Sequence, residues 1–238
     1  MKNNPSKPKK KVEELRAEYD FSGGVRGKHA DAYHKGHTVT VHKSITWGLM
    51  KFKDNPLFYI EIVLTFFVSW VILELSVVVG QKLGVIFNLA IHTAFLIIFS
   101  GLQIGFMKIC LGVYTEKTLP YSELFKSINQ GANFLVAQLA YVVMILMGLL
   151  LIIPGFYLGT KFAFFGFHMA ENNNSIINSF YTSAALTDNF ITKLAYYLFL
   201  LVLLNLLGAA LLGLGLLITV PISVLTMTSL YQDLKSKV

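Results

Sequence analysis

The sequence predicts an all-α membrane protein: six transmembrane helices, two cytoplasmic amphipathic helices and a short, mostly irregular N-terminal extension. Three observations predict it. First, 55% of the 238 residues are hydrophobic and 14% charged, with a mean hydropathy of +0.61; soluble domains run near 45–50% apolar and about 25% charged. Second, the two kinds of residue are segregated. Twelve of the twenty Lys and Arg residues lie in the first 53 positions, and nearly everything after Pro56 is apolar. Third, apolar stretches close to the roughly 20 residues needed to cross hydrocarbon recur along the chain, separated by short polar turns. A soluble globular enzyme, a disordered tail and a secreted disulfide scaffold are excluded. Cys110 is the single cysteine, so neither an internal disulfide nor a thiolate metal cluster can form.

The pattern divides the chain into a basic cytoplasmic extension (1–43), a juxtamembrane amphipathic segment (44–55) and a transmembrane domain (56–238). The basic run Lys7 to Lys11 is not followed by an apolar core, so it is not a cleavable signal. Beside a first span it is retained on the cytoplasmic side, as a solvated tail facing anionic lipid rather than nucleic acid. Val12, Leu15 and Tyr19 mark a short helical stripe, and His37 to Lys43 alternates as a strand would. Four histidines here (His29, His34, His37, His42) lack carboxylate or thiol partners at ligand spacing, so no metal site is expected. Ser44 to Lys53 sets Ile45, Trp47, Leu49 and Phe52 beside Lys51 and Lys53. That suits a helix in the headgroup layer with Trp47 as its interfacial anchor.

The first span is predicted over Leu57–Val79, entered through Asp54-Asn55-Pro56, where a capping side chain and a proline suit a helix start. The second runs from Gly84 to Tyr114 and is long enough to tilt. The third runs from Asn133 to Ile153, where Pro154-Gly155 breaks it, and the fourth from Phe156 to Ala170. The fifth covers Phe190–Leu207, and the sixth Leu211–Tyr231, interrupted by Pro221. With both ends inside, the outer turns carry Lys82 alone, whereas Lys117, Lys126, Lys193, Lys235 and Lys237 fall at the inner boundary, as the positive-inside rule requires.

Two inner loops have the same design. Tyr121, Leu124, Phe125 and Ile128 recur at helical spacing opposite Glu123, Lys126, Ser127 and Gln130. Ile176, Ile177, Phe180, Tyr181 and Ala184 do so opposite Asn178, Ser179 and Thr182. Each helix passes through Asn-Phe (Asn133-Phe134, Asn189-Phe190) into a span containing Leu-Ala-Tyr. This is a weak internal repeat of a surface helix followed by a hairpin of spans.

No phosphate loop, zinc-protease, serine-hydrolase or redox motif occurs, so no catalytic residue and no cofactor is expected. Chemistry is left to polar groups at membrane depth: Glu61, Glu74, His92, Lys161 and His168. A charge there costs at least about 2.5 kcal/mol and must face protein or water. Glu74 and Lys161 fall at similar depths and are predicted to pair. His92 and Gln103 are read as interhelical hydrogen-bond formers. Gly101-x-x-x-Gly105 and Gly155-x-x-x-Gly159 permit close helix approach.

Two stretches carry resemblances. Gly105–Phe125, Ile153–Phe165 and Leu211–Leu234 resemble an uncharacterised family of bacterial six-span proteins, similar to the membrane domain attached to some glycerophosphodiester phosphodiesterases. The likeness covers about residues 44–238 and implies no catalytic residue, since hydrolysis in such fusions belongs to a soluble domain. Glu18–Lys43, opening EYDFSGGVRGK, resembles the front part of small bacterial antitoxin-like proteins. Arg26, Lys28 and the segment His37, Thr38, Val39, Thr40 and Val41 are the candidate docking surface for another chain.

The expectation is therefore a non-enzymatic protein of the bacterial cytoplasmic membrane. It would act as a binding, accessory or scaffold subunit, with the bilayer and a protein as partners and no nucleic acid. The alternative is a small-solute or lipid transporter with a polar site near Glu74 and Lys161.

Overall fold

The computed structural model describes residues 41–80, 82, 84–150, 153–172, 175–211 and 213–237. The described residues are mostly helical, joined by turns and short irregular links such as Lys117 to Pro120, without a strand. Helix α1 (Val41–Asp54) is followed by α2 (Pro56–Gly80) and α3 (Val85–Tyr114). A short α4 (Glu123–Lys126) continues through a 3-10 turn (Ser127–Gln130) into α5 (Gly131–Leu149). Then come α6 (Ile153–Lys161), α7 (Phe165–Asn172), α8 (Ile176–Thr187), α9 (Ile191–Ala210) and α10 (Leu216–Lys235). His37 to Thr40, in the stretch predicted as a strand, lie outside the described residues. Its last three, Val41 to Lys43, open α1 instead. The strand-like alternation is overridden locally by packing: α1 buries Ser44, Gly48 and Phe52 against α10.

Among the described residues four helices, rather than the six predicted, are long and apolar enough to cross a membrane: Pro56–Val78, Val85–Tyr114, Glu123–Leu149 and Ile191–Ala210. The other two predicted spans exist as passes of a different kind. The fourth is two short helices, α6 and α7, broken at Phe162–Phe164. It runs back along α5, since a Cβ on Gly148 would stand 2.8 Å from the Cα of Gly155, Tyr141 donates a hydrogen bond to the Gly159 carbonyl at 2.6 Å, and Phe165 packs on Phe134 with ring centroids 5.7 Å apart. The sixth, α10, contains Pro221 and a run of Ser and Thr residues. It returns along α9 from a contact in which a Cβ on Gly215 would lie 2.6 Å from the Cα of Gly208.

The first of these passes falls short by length, since α6 and α7 have 9 and 8 residues; the second carries polar groups that meet protein. Helix α10 buries Thr226, Thr228 and Ser229 against α1 and its neighbours. The break between α6 and α7 is satisfied from α8: Ser183 Oγ donates to the Lys161 carbonyl at 3.1 Å and accepts from the Phe164 amide at 3.1 Å. Thr187 Oγ1 donates to the same carbonyl at 3.0 Å. Backbone groups freed at membrane depth need such partners.

The repeat is visible in three dimensions. Each half has a short surface helix, a long apolar helix, a glycine-on-glycine contact seven residues apart, and a more polar returning pass. The surface helices, however, turn their small polar residues inward. Ser127 in the first, and Ser179, Ser183 and Thr187 in the second, are buried, whereas Ile177 and Tyr181 are 70% and 73% exposed. Part of the apolar face also points inward, since Leu124 and Leu186 are buried and Ile176 and Phe180 pack on the core, so outward exposure is confined to residues such as Phe125, Ile177 and Tyr181. The first surface helix comes so close because Gly101 and Gly105 admit it. A Cβ at either would stand 2.5 or 2.6 Å from the Cα of Ile128 or Leu124.

The buried core lies at one end of the bundle. It takes Tyr59 and Ile62 from the start of α2, Leu102 to Leu111 from the end of α3, Phe134 from the start of α5, Leu194 and Tyr197 from the start of α9, and Leu225 to Leu234 from the end of α10. At the other end Leu75, Ile86, Leu146, Leu150, Leu207 and Leu211 are exposed. An apolar surface this extensive needs lipid or a partner to cover it. The core end also carries Lys51, Lys117, Glu123, Lys126, Glu171, Asp188, Lys193, Asp233 and Lys235, and is called the polar end below.

Candidate functional site

An open groove of about 480 Å³ lies at the polar end, between the last turns of α3, the loop after it, the end of α7 and α10. Lys108, Gly112, Thr115, Lys117, Glu171 and Gln232 are among its walls, with Leu111 and Leu119 as apolar flanks.

The loop is shaped by how α3 ends. Glu116 adopts φ +58, the left-handed conformation usually given to glycine at this position. It lets the Lys117 amide reach back to the Gly112 carbonyl at 2.8 Å and its own amide to Val113 at 3.4 Å. This double closure satisfies carbonyls that the helix end would leave bare. Gly112 is required beneath it, because a Cβ there would stand 2.8 Å from the Lys117 carbonyl oxygen. The reversal puts Lys117 on the wall of the same groove as Lys108.

On the opposite wall Glu171 is the hub. Lys235 Nζ lies 2.8 Å from both carboxylate oxygens, Tyr231 Oη donates to Oε2 at 2.8 Å, and Gln232 Nε2 reaches Oε1 at 3.5 Å. Partial burial pushes the carboxyl up, but the hydrogen bonds from Lys235 and Tyr231 outweigh it and hold the group below the ordinary carboxylate range. Glu171 is thereby already neutralised by Lys235. Lys108 and Lys117 have no carboxylate within ion-pair distance among the described residues. The field of Glu123 reaches Lys108, but Glu123 itself lies 3.7 Å from Lys126.

Lys161 does not meet Glu74. Its Nζ is 2.8 Å from Asp188 Oδ1 and 3.2 Å from the Tyr157 hydroxyl. The α6–α7 break lets the lysine turn toward the end of α8, where Asp188 follows the helix that caps that break. Glu74 sits on an exposed face of α2 and forms no ion pair among the described residues. Trp47 is half-buried and packs on Tyr114 with ring centroids 5.2 Å apart, so it is fastened to the end of α3. Arg26, Lys28, His37, Thr38, Val39 and Thr40 lie outside the described residues, and Val41 is the first residue of α1. Gln103 does bridge helices, forming with Ser100 and Gln138 a polar ladder between α3 and α5. His92 instead bonds the Asn88 carbonyl of its own helix at 2.8 Å. Among the described residues no three His, Cys, Asp or Glu side chains cluster as a metal site would need.

Sequence reasoning passed over Lys108. The signal was present: it is a lysine six residues inside the end of an otherwise apolar 30-residue helix. What was missing was any sign of a partner, because the groove is assembled from three segments, around Lys108 to Leu119, Ala170 to Asn172 and Gln232, that are distant in sequence. Compared with known proteins, the chain matches no family model, no curated protein and no solved structure.

Proposed function

We propose that this is a non-enzymatic integral protein of the bacterial cytoplasmic membrane, with both termini in the cytoplasm, that acts as a binding or scaffold subunit for another protein. The observation that carries the reading is the seating of α1. This helix connects the basic extension to the first long apolar helix, yet it is built into the bundle rather than trailing from it. Ser229 Oγ donates to Ser44 Oγ at 3.3 Å, Phe52 and Tyr59 pack with ring centroids 6.1 Å apart, and only a glycine at position 48 leaves room for the Thr226 side chain and backbone. A helix buried on α10 through small residues is itself firmly anchored on the bundle. That is the mechanical requirement of a platform, and the docking residues Arg26, Lys28 and His37 to Val41 precede or open that helix.

Glu74 and Lys161 supply little support for a transport site, because Asp188 already takes the lysine. The test compares the full chain with one lacking residues 1–40, both purified in mild detergent after cross-linking in cells. The reading expects a partner cross-linked to the extension, lost on deletion, while the shortened protein stays monodisperse. A partner retained at the same level by the shortened chain, or cross-links confined to the apolar helices, contradicts it.

A further inference from the structure

We propose that the polar-end groove between α3, α7 and α10 is a binding site for a phosphate ester, held by Lys108 and Lys117. The proposal stands apart from the scaffold reading and would survive its failure.

The first argument is the cost of Lys108. It lies on the apolar helix Val85–Tyr114, about 9 Å from its end at 1.5 Å per residue. An ammonium at such a depth is tolerated when it faces a partner or an aqueous cavity. No carboxylate stands within ion-pair distance of it among the described residues, and the groove is the polar space it faces. The second argument is that a strained turn brings a second cation there. The left-handed Glu116 and the close approach over Gly112 place Lys117 on the same wall, and it too has no ion-pair partner among the described residues. The third is the remaining chemistry of the walls. Glu171, the one acid among them, is spent on Lys235 and Tyr231, so the groove is left with net positive character. Asn172 and Gln232 bring neutral amide donors, and Leu111 and Leu119 an apolar side. Two ammonium groups with amide donors suit a phosphate, which takes several charge-assisted hydrogen bonds. The apolar side suits a glycerol or acyl portion.

The same chemistry is offered by the headgroup of an anionic phospholipid and by a soluble phosphate ester, and the experiment separates them. The full chain in neutral detergent micelles is titrated with phosphatidylglycerol in one arm and glycerol 3-phosphate in the other, and bound adducts are counted by native mass spectrometry. The expected result is a saturable adduct in at least one arm, weakened about tenfold or more by Lys108→Gln and by Lys117→Gln, largely restored by Lys108→Arg, and unchanged by Lys193→Gln at the exposed start of α9. Retention in the first arm alone identifies a lipid headgroup. Binding of glycerol 3-phosphate, with displacement of the lipid, identifies a soluble ester. Lys117 lies on an exposed turn, so its variant keeps the test valid should Lys108→Gln fold poorly. No saturable adduct with either probe, or adducts that both glutamine variants hold as tightly as the parent, overturns the proposal.

Discussion

Glu116 shows how a single residue sets the geometry of the polar end. A side chain in the left-handed region costs about 1–2 kcal/mol relative to glycine, and Glu116 bears that strain at φ +58 to close α3. Glu116→Gly is therefore expected to stabilise the protein by about 1 kcal/mol, seen as a higher melting temperature in detergent. The extra unfolded-state freedom of glycine offsets part of the relief. An unchanged or lower melting temperature would show that the carboxylate contributes something the backbone geometry does not reveal. Glu171 gives a pH dependence. Its folded-state pKa is depressed, so its stabilisation is present above the ordinary carboxylate pKa and is lost as pH falls through the folded value. Melting temperature should fall on acidification through the carboxylate range, and Glu171→Gln should flatten that limb. Lys235 is about half exposed and screened by water, so the loss near neutrality should be near 1 kcal/mol. A variant with the same acid limb as the parent would contradict this assignment.

At the scale of elements, the broken pass α6–α7 is held by the hydroxyls of Ser183 and Thr187, of which Ser183 makes two of the contacts. Ser183 both donates to the Lys161 carbonyl and accepts from the Phe164 amide. Ser183→Ala leaves a buried donor and weakens the satisfaction of a buried acceptor, an expected loss of about 1–3 kcal/mol. By contrast Ser76→Ala, whose hydroxyl only bonds the Ile72 carbonyl of its own helix at 2.7 Å, should change stability by less than about 0.5 kcal/mol. Equal effects in a thermal unfolding comparison would remove the special role given to the break. This pass also shows where the sequence was legible and where it was not. Pro154-Gly155 announced an interruption near the end of α5 but not its place: α5 ends at Leu149, and the pair lies in the first turn of α6; Gly101-x-x-x-Gly105 marked a close approach. Nothing local announced that Phe162 to Phe164 would interrupt the returning helix, since Lys-Phe-Ala-Phe-Phe contains no helix breaker. The break is fixed by Ser183 and Thr187, 19 to 26 residues away from the groups they bond. In the same way the spacing of Ile177 and Tyr181 revealed an amphipathic helix but not which face the protein would take. Periodicity gives two faces, and the solvent decides between them.

For the molecule as a whole, the same limitation explains the count of spans. Hydropathy identifies helices that must satisfy lipid, and α2, α3, α5 and α9 do so. Helix α10 is shielded by other helices, so selection for oil-facing residues is relaxed there, and Thr226, Thr228 and Ser229 are buried in protein. Depth alone suggested that Glu74 and Lys161 pair. Depth fixes one coordinate, and the rotation of α2 and the break after α6 fix the others. The architecture that results has a packed, charged end and an opposite end of exposed Leu, Ile and Val, an apolar surface that needs lipid or a partner to cover it.

Nitroxide accessibility tests this most directly. In a Cys110→Ser background, which removes the single cysteine, spin labels are placed at Leu146 on the exposed apolar end, 59% accessible, and at Lys193 on the polar end. The protein is reconstituted in lipid vesicles. The account predicts that the label at Leu146 relaxes strongly with oxygen and weakly with a water-soluble nickel complex, and that the label at Lys193 does the reverse. A label at Leu146 that meets the nickel complex as freely as the one at Lys193 would mean that water surrounds the apolar end, and the membrane-embedded bundle would be contradicted.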